Sequence, residues 1–473
     1  MKLKKLMLCA AAISVGIVTA PLSAADGKSV SPVNAGEEVI HDVLSLGVKG
    51  PVMAPMSGPE AEGPFSRLII ANVHVIDGTG APAYGPVNIE IIGDRISKIS
   101  AIGGTRTLND AAPKAAPDTK VIDGKGGYVL PGFIDTHEHL GTPTHVYGGQ
   151  LTDPDYVFKL LLAHGITTMR DPGSLLGLKW TAQHRQLSAE GKITAPWIFA
   201  YALFPEHTPT PEAARAWIRA AKQNGADGVK FLGADPAVFE ASITELNKLG
   251  MGSAYHHSQL AVTRQTAVKS AEEGLQSIEH WYGIPESMFT DRTVQNYPGG
   301  YNYNDEQDRF GEAGRLWQQS TEPGSPIWTS TIERLVKSKV TLAPTFVGYE
   351  ASRDLARAKR LEWHDQYTMP YAWKSWAANP RVHGSFFFDW TTSDEIAWRN
   401  NYRLWMHFVN DYKNAGGRVS VGADSGFIYN LYGFGYIREL ELLQEAGFHP
   451  VRRQNIWHCW LRKLTECWPH QLG

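Results

Sequence analysis

The chain has little cysteine, three residues in 473. Cys9, Cys459 and Cys467 cannot make a disulfide scaffold, so stability has to come from a packed core. No apolar run is long enough for a comfortable membrane span. Neither sign of charge dominates: 45 Lys and Arg stand against 48 Asp and Glu, for a net charge of −3. With no basic stripe and no acidic tail, a nucleic-acid partner and a disordered acidic segment are both disfavoured. What is there is ordinary globular composition, 43% hydrophobic and 20% charged, over a length that allows one large domain and a small one.

The first 25 residues stand apart. Lys2, Lys4 and Lys5 precede an apolar run from Leu6 to Ala20, and small residues follow at Ser23-Ala24-Ala25. This pattern predicts a secretory signal peptide cut after Ala24 or Ala25, and hence export to the periplasm or medium. An oxidising compartment argues against thiol catalysis. Residues 26–66, rich in Pro, Gly, Ala and Ser, read as a linker or extended arm. Residues 67–130 carry short strand patterns, with a hairpin signal at Gly93-Asp94, and predict a small all-β unit.

From Pro131 to about residue 450, short apolar strands alternate with amphipathic helical stretches. Thr167–Asp171, Gly228–Leu232, Gly252–His257, Leu275–His280, Val340–Phe346 and Val419–Asp424 read as strands, and Pro211–Gln223 as a helix. Repeated βα units over this length predict an α/β fold, a (β/α)8 TIM-like barrel rather than an open sheet. Catalytic groups in such barrels sit at the C-terminal ends of the strands.

The strand ends carry the chemistry. Pro131-Gly132-Phe133-Ile134-Asp135-Thr136-His137-Glu138-His139 closes the first strand with two histidines at i and i+2, which share a face of a strand and can reach one ion. Further strands carry Lys230, the pair His256-His257, His280, and Asp424 within Val421-Gly422-Ala423-Asp424-Ser425-Gly426. Each alone reads as a structural residue: a satisfied histidine, a turn aspartate, a lysine costly to bury unpaired. Together they put imidazole, carboxylate and amine on one rim.

These motifs resemble the amidohydrolase superfamily, in its imidazolonepropionase-like secreted branch. Pro131–His139, Gly165–Asp171, Asp227–Lys230, Ser277–His280 and Gly422–Gly426 occur in the family's order, and the resemblance covers roughly residues 67–450. It implies a metal-dependent hydrolase of amide-like or cyclic C–N bonds with two divalent ions, expected to be zinc. His137, His139 and Asp424 would hold the more buried ion. His280 and one of His256 and His257 would hold the other, with Lys230 as a bridging carbamate. Counting from Gly252 favours His256; the following Ser258-Gln259 favours His257, and the preference falls on His257. A metal-bound hydroxide would attack, with Asp424 as general base. A lyase, isomerase or esterase on the same barrel, or a non-catalytic relative, is the alternative.

Arg170, His207 and Tyr282 are candidates for contact with a small-molecule substrate. Arg170 also reads as a structural ion pair with Asp171, and Glu138 as structural. The long segments 281–330 and 347–400 hold many tryptophans and read as an aromatic lid or as inserted packing helices. A homo-oligomer stays open. Family members complete the small β-sandwich with strands after the barrel. Here residues 451–473 form an atypical tail without returning strands, which leaves a partial sandwich at 67–130.

Overall fold

A computed structural model describes residues 62–102, 117–140, 150, 153–174, 176–377 and 387–449. The expected signal peptide 1–25, most of the arm 26–66 and the tail 451–473 lie outside the described residues. The chain divides into two compact units. Their described parts run from residue 62 to Phe133 and from Ile134 to Gly447.

The small unit is one mixed sheet. Its strands are β1 (Arg67–Val75), β2 (Tyr84–Ile92), β3 (Arg95–Ala101), β4 (Thr119–Asp123) and β5 (Tyr128–Val129), in the order β3-β2-β1-β4 with β5 also on β1. The β2–β3 hairpin turns where Gly93-Asp94 predicted it. Val73, Val75, Val87 and Ile89 form its core. The pairing of β1 with β2 shifts register between Ile70 and Val73 and again between Val73 and Val75. A second, facing sheet is not among the described residues, so the sandwich expected from the resemblance is seen as a single layer.

The large unit carries eight strands that neighbour one another in chain order: β6 (Phe133–Asp135), β7 (Ile166–Gly173), β8 (Trp197–Leu203), β9 (Gly228–Phe231), β10 (Gly252–Tyr255), β11 (Ser277–Glu279), β12 (Thr341–Ala343) and β13 (Arg418–Val419). The pairs from β7 to β13 are parallel. The sheet curls until its ends meet. Thr136 N–H donates to the Val421 carbonyl at 2.9 Å, and Asp424 N–H donates to the His137 carbonyl at 2.6 Å. That closure makes an α/β barrel. Strand β8 and the helix Leu178–Ala189 were not among the elements expected from periodicity.

Helix ends follow their sequence signals. Thr210 accepts a hydrogen bond from the Ala213 amide ahead of the helix Pro211–Gln223, and proline fills its first turn, a cap worth about 1 kcal/mol. The barrel interior is filled rather than open. Tyr201 lies across it, and a Cβ added at Gly252 or Gly228 would fall 1.8 Å from its hydroxyl or 2.4 Å from its ring. Only glycine leaves that space.

The long segments fold into helices, chiefly Glu306–Ala313, Pro326–Ser338 and Thr392–Asn414. Trp281, Trp317, Trp328, Trp376, Trp398 and Trp405 are fully buried. These tryptophans therefore pack the insertions and do not form a lid. Among the described residues no helix is long and apolar enough to cross a membrane.

Candidate metal centre

Three strand ends depart from ordinary backbone. His280 follows β11 with φ 63°, Thr345 follows β12 with φ 50°, and Asp424 follows β13 with φ 52°. Left-handed backbone is uncommon for residues other than glycine and costs of order 1–3 kcal/mol. Here it turns side chains into the barrel mouth. His137, His280 and Asp424 each bring a ligand atom to one place, all within 4.8 Å of one another. Asp424 Oδ1 lies 3.6 Å from His137 Nε2 and 3.4 Å from His139 Nε2, and Oδ2 lies 3.9 Å from His280 Nε2. The His256 ring stands 4.6 Å from that of His280.

The hydrogen-bond network assigns the tautomers. Glu279 Oε2 lies 2.5 Å from His137 Nδ1. Burial alone would raise the Glu279 carboxyl, but Arg170 and Lys230 outweigh it and hold the group below the usual carboxylate range. An ionised carboxylate only accepts, so His137 Nδ1 carries the proton. The Thr345 hydroxyl donates to the Pro344 carbonyl at 2.6 Å and lies 2.5 Å from His280 Nδ1. Its single proton is spent, so His280 Nδ1 donates as well. Both imidazoles then turn the Nε2 lone pair towards Asp424.

Burial, reinforced by Lys230, holds His137 and His256 well below the usual imidazole range, and burial and His256 do the same for His280. Neutral imidazoles with converging lone pairs beside a carboxylate are acceptors facing acceptors. A divalent cation satisfies that arrangement; the donor set fits the metal implied by the motifs.

The cavity around these groups is about 110 Å³, room for several waters or a compact ligand. Besides the four histidines and Asp424, its wall includes Lys230, Tyr282, Tyr303, Arg309 and Tyr349. Burial pushes the Lys230 amine down to about 8.

No protein-family model matches the chain. The imidazolonepropionase of Aromatoleum aromaticum is 36% identical over 73 residues, 15% of this chain and 17% of that protein. The urease subunit alpha 2 of Streptomyces coelicolor is 26% identical over 237 residues, 49% of this chain and 35% of the other. The chain thus spans about a third or less of the length of these curated relatives. Among solved structures, bottromycin amidohydrolase superposes with a TM-score of 0.59 at 16% identity, covering 86% of this chain and 79% of the other. A Xaa-Pro dipeptidase superposes at 0.53 and 16% identity, covering 85% and 89%. These likenesses support the amidohydrolase superfamily that the motifs resemble.

Within this barrel, His137, His139, Lys230, His280, Asp424 and Tyr282 all line the same cavity. His256 lines it too, and His257 does not. The preference for His257 is corrected by strand alternation. Ala254 pairs with Lys230 across β10 and β9; two residues on, His256 keeps the same inward face. His257 keeps the face of Tyr255, stacks on its ring at 3.8 Å, and places Nε2 2.9 Å from Ser270 Oγ. Ser258 and Gln259, the context that favoured His257, do reach the wall.

Arg170 does not reach the wall. It is buried, donates to both Glu279 oxygens at 2.7 and 2.8 Å, and its Nε donates to the Thr136 carbonyl. It forms a buried ion pair with Glu279. His207 is exposed and outside the lining. Glu138 is fully buried and accepts from the His139 amide at 2.9 Å.

Residue-by-residue reading missed Glu279, Thr345, Arg309 and Tyr303. Alternation would turn Glu279 away if His280 faces in; the left-handed backbone at His280 lets both groups serve the site. Arg309 and Tyr303 sit in an insertion whose path no periodicity reveals.

Proposed function

We propose that this chain is a metal-dependent hydrolase of amide-like C–N bonds in small substrates. The observation that carries the reading is the convergence of ligand atoms from His137, His280 and Asp424 within 4.8 Å of one another. The proposed ligands are His137, His139 and Asp424 for one ion and His256 and His280 for a second, with Lys230 carbamylated between them. A divalent cation held there acidifies water and polarises a carbonyl. Asp424 takes the proton from the attacking water and returns it to the leaving nitrogen.

Arg309 is buried and reaches the same wall, with its guanidinium paired to Glu306 and donating to the Tyr303 carbonyl. It supports a substrate that carries a carboxylate, by charge-assisted hydrogen bonding, with Tyr282 and Tyr349 closing around the rest. The dipeptidase among the structural relatives is consistent with that class. Export is part of the proposal and rests on the segment Lys2–Ala25.

The test is metal analysis in parallel with a screen of N-acyl amino acids, dipeptides and cyclic amides. Asp424→Asn should lower turnover of any hit by at least 10²-fold, the usual weight of a general base. Wild-type turnover in that variant would end the proposed mechanism.

A further inference from the structure

We infer that Glu279, clamped by Arg170, is a positioning residue that sets the metal affinity of this centre. The inference rests on the metal-site reading above and deepens it. Glu279 is fully buried, and three groups fix its two oxygens. Oε1 accepts from the Ser277 hydroxyl at 2.5 Å and from Arg170 at 2.7 Å, while Oε2 takes the second Arg170 contact at 2.8 Å and the His137 contact at 2.5 Å. A carboxylate held on three sides has no freedom to rotate away from His137. Arg170 is fixed in turn by the Thr136 carbonyl, one residue before His137 in the chain. The loop of contacts Thr136, Arg170, Glu279, His137 therefore closes on itself.

Two effects follow for His137. Its ring cannot flip, because Nδ1 is tied and Nε2 is left facing Asp424. Its basicity is raised, because the N–H donates to an anion rather than to a neutral acceptor, and a more basic imidazole is a stronger ligand. The pair also accounts for a buried arginine in the barrel that is not part of the cavity lining. Its guanidinium holds both Glu279 oxygens in place.

The experiment uses the full chain. Zinc affinity is measured by chelator competition, and the absorption spectrum is recorded after cobalt substitution, for wild type and Glu279→Gln. The amide keeps the shape and an oxygen acceptor but loses the charge. The expected result is zinc binding weakened on the order of 10–100-fold, with a changed cobalt spectrum and an unchanged far-ultraviolet circular dichroism spectrum. Should Glu279→Gln not fold, Ser277→Ala removes one of the three restraints and should weaken zinc binding several-fold. Wild-type affinity and cobalt spectrum in the folded variant would overturn the positioning role while leaving the metal-site reading intact. A wild-type chain that binds no metal would overturn that reading, and this inference with it.

Discussion

Gly422 lies two residues before Asp424, where the last barrel strand meets the first. A Cβ added there would fall 2.6 Å from the His137 Cβ and 3.0 Å from the His137 amide nitrogen. Carbon atoms pack at ~3.5–4.0 Å, so Gly422→Ala must push the two segments apart by about 1 Å. Neither side can yield alone. Thr136 and Asp424 donate to the carbonyls of Val421 and His137, and the Ala423 amide donates to Asp135 Oδ1 at 3.1 Å. The methyl should therefore cost about 1–3 kcal/mol as overpacking. It also separates His137 from Asp424, and a misplacement of about 1 Å at a reacting centre can cost on the order of 10²-fold in rate. Gly299→Ala is the control, since nothing lies within 4 Å of its added Cβ and its φ is not in the left-handed range. Thermal melting with and without zinc, alongside zinc affinity, reads both effects. The reasoning is refuted if Gly422→Ala melts and binds zinc like the control.

Two further predictions concern neighbouring elements. His256→Ala should reduce the zinc bound per chain and abolish activity, whereas His257→Ala should keep the zinc and lose about 1–3 kcal/mol of stability through a buried gap and the lost Ser270 contact; metal analysis and melting would expose the reverse pattern. Glu286, which accepts from the Gly283 amide at 2.8 Å and from Gln295 at 3.1 Å, has its carboxyl pushed up to about 7 by burial. The native state then keeps this proton longer than the unfolded chain does. Its contribution is fully present below about 4.5 and is lost as pH rises to about 7, a fall of about 3 kcal/mol at ~1.4 kcal/mol per pKa unit. Glu286→Gln should flatten that part of the stability-versus-pH curve, measured by denaturant unfolding, and an unaltered slope would contradict the assignment.

Much of the barrel was legible because its strands are short apolar runs between helix caps, and because candidate ligand residues close those runs. His137, His139, Lys230, His280 and Asp424 were all readable on that ground. Strand β8 was not, since Trp197–Leu203 carries no polar residue at its end to mark it, although Gly191 and Pro196 punctuate the chain before it. The choice at His256 and His257 was decidable from alternation, which gives Lys230, Ala254 and His256 one face; contextual likeness at Ser258-Gln259 pulled the other way. Glu279 was hidden for a physical reason. A strand rule cannot anticipate the left-handed residue that follows it. Arg309 was hidden because contacts made by an insertion depend on tertiary packing rather than on local period.

The seam of the barrel explains why the site is where it is. Asp135 Oδ1 accepts the amides of both His137 and Ala423, so one carboxylate joins the first and last strands beside two candidate ligands. Closing the sheet and assembling the site are then a single structural event. The same seam is crowded with acids. Burial, with only partial relief from those two amides, pushes Asp135 up to about 8; burial and then Asp135 hold Glu138 well above the usual carboxylate range; burial pushes Glu439 up to about 8. Among these acids, Asp135 feels Arg170, and Glu279 feels Arg170 and Lys230, while Arg170 donates to both Glu279 oxygens. A surplus of buried acceptors is unstable unless protons or cations occupy it. Protons meet that need at Asp135, Glu138 and Glu439, whose carboxyls are all raised; at His137, His280 and Asp424, where ligand atoms converge within 4.8 Å, the proposed divalent ion would meet it.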